Sequence, residues 1–252
     1  MLRILVALGD AEYAEEFMMA LLPRGYEVYI VERHETLLQL AEKYTPHVVI
    51  FDADAEIHNK IDGLTELRNV PALKQSHFII FSRESGLDFV KATMKLGAIG
   101  YLFKPISQDM LRDQLTKNLA QVESMVANRR EFVRVKPGPF EKTGVELAIP
   151  GEQAISGVIL DISLGGVAFR LARPERIRSI TIGKTYHDLH LSMEHVGTIA
   201  TAGVAVLARG DSAAFQFTGL NDAALKALCR YIHGKLVLTS PEDPHAQYMK
   251  LV

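Results

Sequence analysis

The sequence predicts an α/β domain built on a doubly wound parallel sheet, followed by an all-β domain that closes as a small antiparallel barrel with a closing helix. Three observations carry this. Short apolar runs alternate with stretches of helical period from Arg3 to Phe103. That alternation is lost around the turn Pro137-Gly138-Pro139. Past the turn, seven short strand-like segments succeed one another, several with alternating apolar and polar residues.

In the first half, Arg3–Leu8 is a continuous apolar run, as expected of a strand buried on both faces. Ala11–Leu22 repeats apolar residues at helical spacing, and Tyr26–Val31 reads as the next strand. The series continues with helix Glu35–Lys43, strand His47–Phe51, a helix around Leu64–Arg68, strand His77–Phe81, helix Gly86–Leu96 and strand Gly100–Phe103. In sheets of this kind functional groups gather at the carboxyl ends of the strands. There the sequence places Asp52, Ser82 and Lys104-Pro105. The domain is expected over residues 1–120, with its last helix extended as a connector to about 128. Leu115, Leu119, Val122 and Val126 step by four, three and four along that helix. Such a seam packs either on the chain's own domains or against a second subunit, so monomer and homodimer both remain open.

The second half, residues 129–238, opens on Arg129, Arg130 and Arg134, three guanidiniums where helical pattern gives way to strand pattern. Arginine is always charged, and its planar fork fits phosphate oxygens or a guanine edge. A polar turn, Asp161-Ile-Ser163-Leu-Gly165-Gly166, lies between two apolar runs. Asp161 can accept from guanine N–H groups, Ser163 can bond either way, and the paired glycines let a backbone approach closely. These are parts for holding a purine nucleotide with more than one phosphate. The strand candidates are Val145–Ile149, Ala154–Ile162, Gly166–Leu171, Ser179–Ile182, Leu189–Met193, Thr198–Ala208 and Ala213–Thr218. Asp222–Leu236 closes the domain as a helix, capped by Asn221 or Asp222 and burying Leu225, Leu228, Cys229 and Ile232 on one face. Residues 239–252, with two prolines and few apolar side chains, read as a tail.

Bulk composition narrows the function. The 252 residues suit two ordinary domains, and 48% hydrophobic with 23% charged residues is the balance of a globular chain. A net charge of −2 argues against a general nucleic-acid binder, and no helix-turn-helix pattern supports DNA binding. The single cysteine, Cys229, excludes an internal disulfide and fits a reducing cytoplasm. No apolar run approaches the ~18 residues needed to cross a bilayer, so a cytoplasmic protein without membrane insertion is expected. His187, His190 and His195 read as ordinary surface or strand histidines. With no nucleophile–base pair, P-loop or dinucleotide fingerprint, no enzymatic activity is expected.

Two resemblances sharpen this reading. Residues 1–120 resemble a response-regulator receiver domain of the CheY-like kind. The resemblance implies a five-stranded sheet, with Asp52 as phosphoacceptor for a histidine kinase and Ser82, Tyr101 and Lys104 as the switch residues. It also implies Mg²⁺, for which Asp10, Asp52 and the Asp54 backbone carbonyl are the candidates. Receivers place two adjacent acidic residues after the first strand, whereas here those positions hold Leu8 and Gly9. The same residues also read as a receiver-shaped interaction domain with a buried Asp52–Lys104 ion pair. Arg130-x-x-x-Arg134 followed by Asp161-x-Ser163-x-x-Gly166 resembles the two-part signature of PilZ domains, receptors for cyclic di-GMP. That resemblance implies a six-stranded barrel. It also makes Arg129, Arg130, Arg134, Asp161, Ser163, Gly165 and Gly166 the nucleotide site. The combined expectation is a cyclic di-GMP effector with a receiver-like input, acting on a downstream protein. The alternative is a phosphorylation-controlled adaptor whose barrel binds no nucleotide.

Overall fold

The computed structural model describes residues 1–9, 11–31, 34–54, 60–126 and 131–238. Asp10, Arg129, Arg130 and the 239–252 tail, singled out above, lie outside the described residues. The chain divides into two compact units, Met1–Glu131 and Phe132–Val252.

In the first unit, strands β1 (Arg3–Ala7), β2 (Glu27–Val31), β3 (Val48–Asp52), β4 (His77–Ser82) and β5 (Ala98–Phe103) alternate with helices. The helices are α1 (Ala14–Leu21), α2 (His34–Tyr44), α3 (Lys60–Asn69), α4 (Leu87–Lys95) and α5 (Gln108–Met125). The strands form one sheet in the order β2-β1-β3-β4-β5, and every pairing is parallel. All five residues of β3 are buried, which accounts for the unbroken apolar run Val48–Phe51. The strand order reverses direction between β1 and β3, so the crossover helices fall on opposite faces and a crevice opens at the carboxyl ends of these strands. Gly9 and Asp52 lie at that switch point.

Helix α5 begins at Ser107, whose hydroxyl accepts from the Met110 N–H at 3.4 Å. Its Leu111, Leu115, Leu119 and Val122 are buried within the same unit. Arg24, just past α1, reaches Glu123 at 2.8 Å and the Thr116 hydroxyl at 2.6 Å. The four-three-four seam is thus spent on the chain's own domain. The helix also stops at Met125, short of the expected 128, because Val126 leaves it in extended conformation with φ −108° and ψ 115°.

The second unit contains β6 (Arg134–Val135), β7 (Thr143–Leu147), β8 (Ile155–Ser163), β9 (Gly166–Leu171), β10 (Thr185–Met193), β11 (Gly197–Arg209), β12 (Ser212–Gly219) and α6 (Asp222–Leu238). Strands β8-β7-β10-β11-β12-β9 pair in sequence, and β9 returns to β8, closing a six-stranded antiparallel barrel. Strand β7 pairs only with Ile155–Gly157 of β8, and the short β6 takes up Ile162 and Ser163 farther along. Phe169 and Phe215 stack at 5.8 Å inside the barrel, with Tyr186 edge-on to Phe215 at 5.5 Å. Helix α6 buries Leu228, Cys229 and Ile232, and Asn221 Oδ1 caps it by accepting from the Ala224 N–H at 2.8 Å.

One expected strand is absent from these residues. The sequence predicts a strand over Ser179–Ile182, but Pro174–Ser179 forms 3-10 turns that Pro174 starts. Of Ile180 and Ile182, only Ile180 enters the core, whereas Ile182 is 59% exposed. The alternation there marks a single anchor in a loop.

Candidate functional site

At the carboxyl edge of the parallel sheet, β3 delivers Asp52, β4 delivers Ser82, and the residue after β5 is Lys104. Lys104 Nζ lies 2.7 Å from Asp52 Oδ1 and 3.4 Å from Asp54 Oδ2, and the Asp52 and Lys104 side chains are almost fully buried. Asp52 Oδ2 accepts from the Gly9 N–H at 3.1 Å, and Oδ1 accepts also from the Asp54 N–H at 3.0 Å. Lys104 also sits over the Phe81 ring at 4.5 Å. A buried charge is costly unless paired, and here each charge has partners.

The side chain of Asp54 does more than the sequence suggested. The expected contribution was a backbone carbonyl. In the fold its carboxylate crosses to β4, where Oδ1 accepts from Ser82 Oγ at 2.6 Å and Oδ2 from the Arg83 N–H at 2.7 Å. The Ser82 hydroxyl in turn accepts from the Glu84 N–H at 3.0 Å, and Tyr101 Oη donates to the Glu84 carbonyl at 2.7 Å. Burial, with the negative charges of Asp54 and Glu84, pushes the Tyr101 phenol above its ordinary value, so it remains a proton donor.

Of the three Mg²⁺ candidates, Asp52 and Asp54 are among the described residues and Asp10 is not. The cation needs near-ideal octahedral oxygen ligation. Both Asp52 oxygens are engaged by protein donors, and both Asp54 oxygens point at Ser82 and Arg83. Among the described residues no three acidic, histidine or cysteine groups form a metal cluster.

The second candidate site is on the barrel. Strand β6 pairs with β8 so that Arg134 stands opposite Ser163 and Val135 opposite Ile162. Val133 and Val135 are buried, which turns Arg134 outward by the alternation of strand side chains. Its guanidinium is 3.8 Å from Asp161 Oδ1, with side chains 57% and 30% exposed. The structure therefore brings Arg134, Asp161 and Ser163 to one end of β8.

Ser163 and the two glycines differ from expectation in how they are used. Ser163 is buried, and its hydroxyl accepts from the Gly165 N–H at 3.2 Å and donates to the Gly166 carbonyl at 3.4 Å. It closes the turn between β8 and β9. A Cβ on Gly165 would lie 2.6 Å from the Phe132 ring, and one on Gly166 would lie 2.3 Å from the Phe215 carbonyl oxygen. Both glycines thus admit neighbouring protein groups on that side. Phe132, between the arginines, was missed. Its signal was an aromatic within a charged segment, and only the fold shows the ring on Gly165.

Two family models match the chain. Residues 5–116 match the response regulator receiver domain family, and residues 128–234 match the PilZ domain family. The transcriptional regulatory protein ZraR of Salmonella typhimurium is 30% identical over 119 residues, covering 46% of this chain but only 26% of that protein's length. Chemotaxis protein CheY4 of Vibrio cholerae superposes with a TM-score of 0.43 at 21% identity, covering 47% of this chain and 99% of its own. The PilZ domain of Escherichia coli YcgR, solved with c-di-GMP, gives a TM-score of 0.37 at 16% identity over 43% of this chain and 92% of its own. The chain belongs to the response regulator receiver family over residues 5–116 and to the PilZ family over residues 128–234.

Proposed function

We propose that this chain is a cyclic di-GMP receptor that regulates a protein partner, with no catalytic step of its own, and that it works in the cytoplasm. The observation that carries the reading is the exposed Arg134 beside Asp161 and the Ser163–Gly166 turn, at the point where the chain enters the barrel. Arg134, with Arg129 and Arg130 just before it in sequence, supplies cations for two phosphates and a guanine edge. Asp161 accepts from the guanine N–H groups once the ligand displaces its contact with Arg134. Ser163, Gly165 and Gly166 hold the turn in the shape the ligand meets.

These arginines also lie on the segment that leads from the receiver into β6. Fixing them on a ligand fixes that backbone, and a ligand that favours one arrangement of the two units over others shifts their populations accordingly. The regulated partner reads the arrangement.

Titration calorimetry with cyclic di-GMP tests the receptor reading, with Arg130→Ala and Arg134→Ala measured beside the parent. Micromolar or tighter binding that both variants lose is the expected result. No heat from folded parent protein would overturn it and leave the barrel as a protein-docking module. Solution scattering tests the second step separately. A profile unchanged at nucleotide saturation would remove domain reorientation while leaving binding in place.

A further inference from the structure

Three donors converge at the edge of the parallel sheet from two segments: Ser82 Oγ and the Arg83 backbone N–H at the end of β4, and Lys104 Nζ after β5. A hydroxyl, an amide and an ammonium aimed at one point make an anion-binding subsite. Its occupant is part of the chain. The Asp54 carboxylate accepts from Ser82 at 2.6 Å and from Arg83 at 2.7 Å, and lies 3.4 Å from Lys104. We propose that Asp54 is the resident anion of this subsite and holds the loop after β4, together with Tyr101, in a single arrangement that requires no phosphoryl group on Asp52.

The connection is continuous. Asp54 fixes the Ser82 hydroxyl, Ser82 accepts from Glu84 N–H, and the Glu84 carbonyl accepts from Tyr101. Tyr101 lies against Phe103 at 4.5 Å, so the network reaches the outer end of β5. Asp54 is itself held by its N–H on Asp52 Oδ1. Asp52 has both oxygens in use, and Lys104 is shared between the two carboxylates. A phosphoryl group on Asp52 would bring a charge of roughly −2. It would have to enter beside the Asp54 carboxylate and compete with it for the same three donors. Like charges at that distance repel strongly in a buried site. The subsite is thus filled in advance, and a phosphoryl donor has no vacant donor set to organise.

The test reads Tyr101 in the full-length protein carrying 3-fluorotyrosine. The chain has 8 tyrosines, and Tyr101→Phe assigns the resonance. In the parent, beryllofluoride with Mg²⁺ should leave the Tyr101 resonance in place. Asp54→Ala should move it and accelerate amide exchange over residues 83–86 by about tenfold or more, since charge-assisted hydrogen bonds are lost. Ser82→Ala should produce the same shift, and the double variant should add nothing. Should Asp54→Ala not fold, Asp54→Asn keeps the shape but has one acceptor oxygen for the two donors Ser82 Oγ–H and Arg83 N–H, so one of those bonds is lost or reversed, and Tyr101 or the amide exchange of residues 83–86 must change. The proposal is overturned if beryllofluoride moves Tyr101 in the parent, or if the folded Asp54 variants leave Tyr101 and the loop unchanged.

Discussion

The two charge clusters of this protein differ in how completely the fold satisfies them. At the edge of the parallel sheet, the Asp52 and Lys104 side chains are 1% and 3% exposed and 2.7 Å apart, with the Gly9 N–H on the other Asp52 oxygen. On the barrel, Arg134 and Asp161 are 57% and 30% exposed and 3.8 Å apart. Buried ions must be neutralised inside the protein, which leaves little capacity for anything else. An exposed, loosely paired arginine contributes little to the fold and can exchange its carboxylate for a ligand phosphate. The first cluster is organised to hold the domain together. The second leaves its charges open to another partner.

That contrast can be broken experimentally, most strongly at Lys104. Lys104→Met leaves Asp52 and Asp54 without their shared cation, and should cost roughly 3–5 kcal/mol, read as lost protection of β3–β5 amides in hydrogen exchange. A cost below about 1 kcal/mol would mean that the buried cluster is no more committed than the exposed one.

The next largest effect is expected from pH, acting inside the barrel. His233 is buried on α6, and neither ring nitrogen finds a hydrogen-bond partner among the described residues. Burial lowers its pKa from 6.5 to about 4. Between those values the unfolded chain binds a proton that the folded barrel refuses. Stability from this group is complete above about pH 6.5 and falls as pH drops to about 4, by roughly 3 kcal/mol in all. Comparing the pH dependence of barrel unfolding in the parent and in His233→Leu isolates this contribution. A parallel pair of curves would show that His233 is solvated in solution.

A smaller effect is expected at Phe132. Its ring lies on Gly165 and pins the arginine segment to the turn between β8 and β9. Phe132→Ala should weaken cyclic di-GMP binding about tenfold by loosening that segment, whereas Phe132→Leu should retain most of the affinity. Equal binding by all three proteins would remove Phe132 from the site.

The smallest effect is the stability change in Arg134→Ala. An ion pair this exposed should shift barrel unfolding by less than about 1 kcal/mol, even as nucleotide binding disappears. A larger loss would make Arg134 a structural residue and erase the comparison with Lys104.

Much of this architecture was legible because local pattern and tertiary need coincide. The runs Ile4–Val6 and Val48–Phe51 read as buried parallel strands, and both are buried. Period-two alternation marked Gly166–Leu171, and the spacing of Leu228, Cys229 and Ile232 marked the buried face of α6. Where pattern and fold part company, the sequence misleads. Ile180 and Ile182 alternate, yet Pro174 directs the preceding chain into 3-10 turns. The helical pattern through Val126 likewise continues past the point where α5 ends.

The sequence by itself determined the two domain types, the order of their strands and helices, and most side chains that meet at each site. Periodicity and turn chemistry are local properties, and Asp52, Ser82, Lys104, Arg134 and Asp161 each fall at a strand end or a turn that local pattern defines. Only the tertiary structure decided what those side chains do to one another. The reach of Asp54 to Ser82 spans 28 positions in sequence and depends on β3 and β4 lying in register. The ring of Phe132 on Gly165 depends on β6 extending the edge of β8. Such contacts are set by the angle and register of packed elements, and no local spacing encodes them.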